Sequence, residues 1–487
     1  MFLFHKKKKS RIVPIFFGSC LIIGIVVVFG AWYISHTVST MNILNTDIVR
    51  NTVVKELGEG NAFLYDLVPV FLGFSEPQTY LVLFLNNTEL RPGGGFIGTY
   101  ATIRVDKGSI QILALDGTEN LDRNAPATWH QEPPLPIQTY LGLDRWFFRD
   151  SNWSPDFRES AERALAFYTA EGGIGAEDID GVIGITATVL EALLRVVGPV
   201  TVEGITFTDE NIIETLEYQV EYGYKEQGIH ITDRKKIMHP LFLAILETLK
   251  VHILSEYKTY LSLAETVSNE RHLLLYHTDA QVQKILEAHD WAGRVAITTG
   301  DYLLWVDANL GALKTDVVMR RSLRYEMLGK EENRYKVRTT MTYDHTGQFD
   351  WRTSRYITYA RVFVPEGSEL FDVSGTLKSG SKITREMVER GVEGGKTWFG
   401  TMFSIEPQQV KKLSFTYVLP ESVVRDSIYS LVVQKQLGSI DHALTLDLDF
   451  ATLLQSADPP EEQEEWYDGV YRYTTDLRED RSFVITL

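Results

Sequence analysis

Residues 80–99 read YLVLFLNNTELRPGGGFIGT, in which two apolar runs are joined by a polar loop that ends in three glycines. The six residues that start at Tyr80 form a short continuous apolar run, which is typical of a buried β-strand. The stretch FIGTYATIRV alternates apolar and polar residues, and together with SIQILAL it predicts a hairpin that turns at Asp106-Lys107-Gly108. The glycine loop therefore connects strand to strand.

Consecutive glycines indicate unusual backbone angles or a close approach of the backbone to another group. Arg91 lies beside Gly93, Gly94 and Gly95, and a guanidinium together with backbone N–H groups can hold a phosphate. The alternative is a simple turn in which Arg91 pairs with a carboxylate. Thr99 stands where a nucleotide-binding phosphate loop has lysine, and a strand follows instead of a helix, so neither an NTP loop nor a dinucleotide fold is predicted.

Helices and strands alternate on both sides of this loop and predict a mixed domain over residues 76–315, either α/β or α+β. Ser154-Pro155-Asp156 predicts a helix start, with a hydroxyl N-cap followed by proline in the first helical position. A long amphipathic helix is predicted from Asp233 to about Leu254, with a bend at Pro240.

Beyond residue 315 the helical periodicity nearly disappears. Stretches such as RYKVRTTMTYDH, KTWFGTMFSI and KKLSFTYVLP alternate apolar and polar residues between turn signals. This pattern is typical of an antiparallel sandwich, and we predict an all-β, immunoglobulin-like domain over residues 316–487.

The N-terminus predicts a membrane anchor. Basic residues crowd the segment 1–11, and an uncharged apolar stretch follows that is long enough to span a bilayer, which predicts a transmembrane helix over 12–35. Because cations stay on the cytoplasmic side, we expect a single-pass protein of the cell membrane whose bulk is extracytoplasmic, beyond a helical stalk at 36–75. A cleaved signal peptide is the alternative, but the apolar run is longer than such peptides usually carry.

Charge and cysteine content exclude several classes of protein. The chain has 65 acidic and 48 basic residues. Five of the basic residues precede Ile12, which leaves 43 against 65 and a net charge of −22 for the rest, so a nucleic-acid partner is disfavoured. The single cysteine, Cys20, lies inside the predicted span, so no disulfide framework is expected outside it. No HExxH, GxSxG, CxxC or EF-hand pattern is present, which disfavours common zinc enzymes, proteases and esterases.

Further cations lie where helices are predicted to begin. Arg158 falls in the first turn of the helix after Ser154, and Arg234 and Lys235 fall in the first turn of the long helix. Cations oppose the helix dipole at that end, whereas a bound anion is favoured by the dipole and by the side chains together. These residues therefore predict a phosphate-binding site.

Carboxylates follow the predicted hairpin in the stretch LDGTENLDR. Asp116 and Asp122 lie just beyond a predicted strand end, where carboxylates can hold a divalent cation such as Mg²⁺. The alternative is that they are turn and capping residues. No other cofactor is indicated.

Three stretches carry a family resemblance. They are NNTELRPGGGFIG at 86–98, DSNWSPDF at 150–157 and DANLGALKTD at 307–316. The chain resembles the bacterial family known as domain of unknown function 4012, and the resemblance covers most of the predicted exported part. Since no reaction is established for that family, the resemblance implies none.

A more distant similarity links DGVIGI at 180–185, VGPVTV at 197–202 and the stretch from Asp233 to Lys250 to the LytR-CpsA-Psr proteins. Those are membrane-anchored, extracytoplasmic enzymes that bind polyprenyl-linked glycans through arginines and transfer the phosphoglycan to peptidoglycan. The resemblance implies that Arg91, Arg234 and Lys235 bind phosphate and that Asp116 is a metal or acid-base carboxylate. The Arg-Ser-Asp-Thr stretch of those proteins is replaced here by Arg91-Pro-Gly-Gly-Gly, so binding is better supported than catalysis.

We therefore expect an envelope protein that binds a polyprenyl-phosphate-linked glycan or a related anionic lipid. As a phosphotransferase it would use Arg91 and Asp116 at the reacting centre. One alternative is a non-catalytic scaffold or adhesion module. Another is glycan binding by aromatic side chains, since Trp129, Trp146 and Trp153 lie close together in the sequence.

Overall fold

A computed structural model describes residues 63–252, 256–331, 333–461 and 468–487. The predicted basic segment 1–11, the predicted transmembrane helix 12–35 and the predicted stalk up to residue 62 lie outside these ranges. The remainder of the stalk contains helix α1, Leu64–Phe71. Within the described ranges, no helix is both long and apolar enough to cross a bilayer.

The first region is built on a five-stranded sheet with the strand order β3-β2-β1-β4-β7. The predicted hairpin is confirmed, because Asp106 of β2 faces Ser109 of β3 across a two-residue turn in which Lys107 and Gly108 both have positive φ. The strands, with a separate short pair β5 and β6, are β1 Gln78–Asn86, β2 Phe96–Asp106, β3 Ser109–Gly117, β4 Gly181–Thr186, β5 Val200–Val202, β6 Ile205–Phe207 and β7 Leu273–His277.

Helices cover both faces of this sheet. They are α2 Thr118–Asn124, α3 Leu135–Leu141, α4 Phe157–Ala170, α5 Ala187–Val197, α6 Ile212–Tyr218, α7 Tyr224–Glu226, α8 Met238–His252, α9 Tyr257–Asn269 and α10 Ala280–Ala288, with a π-helix at Gln219–Gly223. Phe157 and Phe167 of α4 pack with Leu83 on one face, and Leu261 and Leu286 pack with Val82 on the other. Alternate residues of β1 therefore serve two cores.

Two predicted helix starts are wrong in detail. The N-cap of α4 is Asp156 and not Ser154, because the Asp156 carboxylate accepts the backbone N–H groups of Arg158 and Glu159. The long helix begins at Met238 and not at Asp233. Arg234 and Lys235 therefore lie in a turn ahead of α8, where the helix-dipole argument does not apply.

The second region is rich in β-structure, as predicted. Its strands are β8 Asp301–Asn309, β9 Met319–Glu331, β10 Arg334–His345, β11 Tyr356–Pro365, β12 Glu369–Ser374, β13 Glu389–Glu393, β14 Lys396–Ile405, β15 Val410–Val418, β16 Val424–Arg425, β17 Ile428–Gln434, β18 Ala443–Asp449, β19 Ser456–Asp458, β20 Val470–Asp476 and β21 Arg481–Thr486. They form a six-stranded and an eight-stranded sheet. One apolar core takes side chains from both sheets.

Strand β8 joins the two regions. Although it precedes the predicted domain boundary at residue 315, it hydrogen-bonds to β11 and β17 inside the eight-stranded sheet. Trp305 points into the core between the sheets, whereas Tyr302 and Val306 pack with Val295 on the other face. A strand covered on both faces needs apolar residues throughout, which explains the sequence DYLLWVDAN.

Candidate anion-binding site

The guanidinium of Arg91 is buried and fully engaged. Its Nε lies 3.0 Å from the Asp150 carboxylate and its Nη2 lies 3.2 Å from the Glu89 carboxylate, while Nη1 donates to the carbonyl of Asn309. The side chain of Arg91 is 3% exposed. Burial by itself would lower the pKa of Arg91, but the two carboxylates outweigh burial and raise it. The alternative interpretation of the loop, an Arg91–carboxylate pair, is thus what the structure shows.

The triple glycine serves the folding of the loop. The N–H of Gly93 donates to the carbonyl of Asn152 and that of Gly94 donates to Arg91, so neither faces an open anion cradle. Gly95 has a φ of +154°, and a Cβ on it would lie 2.6 Å from the carbonyl carbon of Asn86. The glycines are required by this close backbone approach. The folded loop therefore differs from the predicted phosphate loop at Gly93, Gly94 and Gly95.

The same loop binds the β-rich region. Leu90 donates to the Asp316 carboxylate over 3.0 Å and accepts the N–H of Asn309 over 2.9 Å. Arg321 pairs with Asp316 and with Asp307, and both carboxylates are buried. We call these charged residues the interface cluster: Glu89, Arg91, Asp150, Asp307, Asp316 and Arg321. All three sequence stretches that carry the family resemblance contribute to it.

A second group of charges lies where β2 begins, and we call it the rim cluster: Arg234, Lys235, Lys314, Glu119 and Glu221. Arg234 lies 3.1 Å from the Glu119 carboxylate and 3.0 Å from that of Glu221. Lys314 lies 3.2 Å from Glu221. Lys235 pairs with Glu119 and also donates to the carbonyl of Gly98. Three cations thus face two carboxylates.

The side chains of the rim cluster are only partly buried, and the directions of their pKa shifts reflect this. The side chain of Arg234 is 22% exposed, against 3% for Arg91. Burial would raise the pKa of Glu119, but Lys235 and Arg234 lower it. The pKa of Glu221 is lowered in the same way by Lys314 and Arg234. Burial also lowers the pKa of the Lys235 ammonium, which remains beside the Glu119 carboxylate.

A cavity of about 380 Å³ opens beside Arg234. Its walls come from the π-helix and from the turn that precedes α8, and they carry both charged and apolar groups. The lining residues are Glu203, Gln219, Tyr224, Gln227, Gly228, Ile229, His230, Asp233, Arg234, Lys236 and Ile237. Such a volume lies within the range of small-ligand sites.

The predicted site residues divide into separate groups. Asn120 donates to the Asp116 carboxylate over 2.7 Å and to the carbonyl of Thr232 over 3.2 Å, which ties Asp116 to the turn that carries Arg234 and Lys235. These three predicted residues therefore come together. Arg158 instead pairs with Glu162 and Glu287, and it shares no ion-pair partner with Arg234.

The two predicted metal ligands have different partners. Asp116 accepts from Gly117 and Asn120, whereas Asp122 is buried against Arg149 and lies beside the carboxyl of Glu171. Among the residues that the structure describes, no group of three or more His, Cys, Asp or Glu side chains is arranged to hold a metal ion. The predicted pairing of Asp116 with Asp122 around Mg²⁺ thus differs from the observed arrangement.

Sequence reasoning missed Glu221 and Lys314 as members of the site. Glu221 lies in the π-helix, an irregularity that is frequent at functional sites but has no sequence signature in this chain. Lys314 lies in the third family stretch, some eighty residues from Arg234, and only the tertiary fold brings it to Glu221. The one sequence signal available for Lys314 was its position, as a cation, within the third family stretch.

Comparison with solved structures finds only weak likeness. A candidate nutrient-binding protein from Legionella pneumophila subsp. pneumophila str. Philadelphia 1 is 8% identical, and the match covers 39% of this chain and 72% of that one at a TM-score of 0.26. A candidate protease from Parabacteroides distasonis ATCC 8503 is 8% identical, and the match covers 35% of this chain and 41% of that one at a TM-score of 0.21. An M1 zinc metallopeptidase from Deinococcus radiodurans is 11% identical, and the match covers 34% of this chain and 42% of that one at a TM-score of 0.17.

These TM-scores are too low to support any inference about fold or function, and the chain spans less than half the length of the two peptidases. No curated protein matches the chain. The resemblance to the LytR-CpsA-Psr proteins stays a prediction. The other predicted resemblance is confirmed over residues 75–221, which match the family described as protein of unknown function (DUF4012). The stretch at 307–316 lies outside this match.

Proposed function

We propose that the protein binds the phosphate of a polyprenyl-phosphate-linked glycan, or of a related anionic lipid, at the rim cluster. The observation that carries this proposal is the position of Arg234 in the wall of a cavity, within a local excess of cations, on a chain whose net charge is −17. A strongly acidic protein repels anions over most of its surface. The rim cluster is a local exception, because its cations are partly exposed and one of them, Arg234, lines the cavity.

The energetics favour exchange of one anion for another. Glu119 and Glu221 neutralise the cations only in part, and a phosphate offers more acceptor oxygens than a carboxylate. Because both glutamates are partly exposed, they can turn to water when a phosphate displaces them. Arg91 then has a positioning role. It stabilises the loop that leads to Gly98, and the carbonyl of Gly98 accepts a hydrogen bond from Lys235.

Apolar surface lies next to these cations. Thr99 donates to the sulfur of Met238 at the start of α8, and the half-buried rings of Phe84 and Phe242 meet edge to face at 6.4 Å between the sheet and that helix. An isoprenoid chain needs an apolar surface that begins close to its phosphate. This arrangement supports a lipid-linked ligand over a free phosphate.

The proposal includes the predicted cellular setting. The segment 12–35 is the membrane span, the bulk of the chain is extracytoplasmic, and the β-rich region is an immunoglobulin-like sandwich. As a phosphotransferase acting on a glycan linked to polyprenol through a pyrophosphate, the protein would let a cell-wall hydroxyl attack the phosphorus next to the glycan. That hydroxyl would form the new P–O bond, polyprenyl phosphate would leave with the electrons of the broken bond, and Asp116 would take the proton.

The test is native mass spectrometry of the full chain extracted in detergent. We expect a polyprenyl phosphate to co-purify with the wild type and to be lost from Arg234→Gln. Arg158→Gln is the matched control, since Arg158 also has two carboxylate partners but lies on α4. Retention of the lipid by Arg234→Gln, or its absence from the wild type, would refute the proposal.

A non-catalytic envelope scaffold is the second candidate function. It is favoured by the interface cluster, because the residues of the family stretches join the two regions to each other. In that case neither lipid nor transfer activity should be found, and substitutions at the rim cluster should leave the cellular role unchanged.

A further inference from the structure

Three aromatic rings, one exposed and two half-buried, form a cluster around the π-helix. Tyr218 and Tyr222 stack at 6.0 Å with 25° between their planes, and Trp351 meets them edge on at 5.7 and 5.6 Å. Tyr222 is 39% exposed. Phe349, two residues before Trp351, is 65% exposed. We call Tyr218, Tyr222 and Trp351 the aromatic platform.

The loop that carries Trp351 is held rigidly. The Asp350 carboxylate accepts the N–H groups of Arg352 and Thr353, and Gln408 donates to the carbonyls of Thr346 and Gly347. Aromatic side chains fixed at a surface lose little conformational entropy when a ligand covers them. The platform is therefore prepared for binding.

Its geometry selects the kind of ligand. Rings separated by 5.6–6.0 Å already touch one another, so no cation fits between them as in an aromatic cage. The Lys225 ammonium lies 5.5 Å from the centre of the Tyr222 ring, so only the aromatic surface left between it and the neighbouring rings can take a ligand. Such a surface suits a flat apolar face, such as the C–H face of a pyranose ring.

Polar groups surround this surface. Glu226 accepts the hydroxyl of Tyr218 over 2.9 Å, and the Glu214 side chain is 65% exposed near Arg352. Carboxylates can accept sugar hydroxyls, whereas they repel the anionic headgroups of a membrane. Lys225 lies over the Tyr222 ring and Arg352 pairs with Glu214, so the border of the platform carries both signs of charge. It thus offers donors and acceptors to the hydroxyls of a neutral saccharide.

The platform adjoins the rim cluster. Glu221, which pairs with Arg234 and Lys314, precedes Tyr222 in the π-helix. The N–H of Lys314 donates to the carbonyl of Arg352 over 3.0 Å. One helix and one loop thus position both groups.

We propose that the aromatic platform is a saccharide-binding subsite that takes a neutral stretch of a glycan chain. The assignment of that chain to the phosphate-linked ligand of the rim cluster rests on the proposed function. Saccharide binding itself does not, since it depends on other side chains.

The experiment titrates the full chain in detergent with two neutral oligosaccharides, tetra-N-acetylchitotetraose and cellotetraose, followed by saturation-transfer difference NMR. We expect at least one to bind, and Trp351→Ala and Tyr222→Ala to weaken it about fivefold, because a well-placed aromatic contact contributes about 1 kcal/mol. Phe371→Ala is the matched control, since Phe371 is 46% exposed on β12 of the six-stranded sheet.

The subsite would be refuted if the wild type bound neither oligosaccharide, if Tyr222→Ala left the affinity unchanged, or if Phe371→Ala weakened binding equally. It would also be refuted if Tyr222→Ala dissociated an oligomer, because a second copy of the chain would then cover the platform. Tyr222→Ala changes an exposed side chain, so it serves if Trp351→Ala fails to fold. Arg234→Gln separates the two proposals, since it should abolish lipid retention and leave oligosaccharide binding intact.

Discussion

The interface cluster and the rim cluster contain the same local arrangement, an arginine between two carboxylates. Arg91 lies between Asp150 and Glu89, and Arg234 lies between Glu119 and Glu221. Their exposures differ, at 3% and 22% of the side chain. Arg91 also donates to the carbonyl of Asn309 in the other region, whereas Arg234 borders a cavity. The same ion triad therefore joins two regions where it is buried and is open to an external anion where it is not.

The acids of the two places titrate in opposite directions. In and beside the interface cluster, burial raises the pKa of Glu89 and of the neighbouring acids Asp122 and Glu171. In the rim cluster, neighbouring cations lower the pKa of Glu119 and Glu221 despite partial burial. Desolvation dominates in the first place and charge pairing in the second.

The largest expected effect is on stability and comes from the interface cluster. Arg91→Ala leaves the buried Asp150 carboxylate and the partly exposed Glu89 carboxylate without their cation, and we expect it to lower the free energy of unfolding by about 3–5 kcal/mol. Arg234→Ala removes a partly exposed arginine and should cost only about 0–1 kcal/mol. Urea unfolding of the full chain, followed by tryptophan fluorescence, measures both. Equal losses would contradict the distinction between the two clusters.

The next effect is on the pH dependence of stability. Burial, with the neighbouring Asp122 carboxylate, raises the pKa of Glu171 to about 8, so the folded state holds a proton that the unfolded state has released. This contribution is complete below pH 4.5 and is lost as the pH rises through about 8. Glu171→Gln mimics the protonated acid, and thermal unfolding should then fall less steeply between pH 5 and pH 8 than in the wild type.

Glu119→Gln is the matched comparison for that experiment. Since the cations lower the pKa of Glu119, its contribution to stability is present above pH 4.5 and is lost as the pH falls below it. The substitution should therefore flatten the acid side of the profile and leave the slope between pH 5 and pH 8 unchanged. If Glu171→Gln and Glu119→Gln gave the same dependence of stability on pH, the acids near the interface cluster and those of the rim cluster would not titrate in opposite directions.

The smallest effect is on anion affinity at the rim cluster. Glu221→Gln removes a carboxylate that competes for Arg234 and Lys314, so inorganic pyrophosphate should bind about two- to fivefold more tightly, as expected for a partly exposed ion pair. Isothermal titration calorimetry on the full chain measures this. Glu162→Gln removes the same charge on α4 and should change nothing. Weaker binding by Glu221→Gln would mean that Glu221 positions the cations instead of competing for them.

Much of the fold was predictable because it depends on local patterns. The hairpin of β2 and β3, the alternation of helices and strands, and the β-rich second region all follow from periodicity and turn residues such as Lys107-Gly108. The candidate site was predictable only in part. Asp116, Arg234 and Lys235 do come together, but their partners Glu221 and Lys314 are distant in the sequence.

Burial caused the main differences from prediction. A loop with Arg91 and three glycines has the composition of an anion site, and the sequence contains nothing that distinguishes it from a loop packed between two regions. Asn309 and Asn152, which occupy its polar groups, come from other parts of the chain. Likewise, the start of α8 at Met238 placed Arg234 in a turn, which no spacing of apolar residues indicated.

The sequence by itself determined the class of each region, the hairpin, the excess of negative charge and the predicted membrane span, because propensity, periodicity and composition act over short stretches. Only the tertiary structure decided which arginine is buried and which borders a cavity. It also decided which aromatic rings form a surface, because exposure depends on what distant segments cover. The family stretches name the residues that join the two regions, and the fold leaves the rim cluster and the aromatic platform open to ligands.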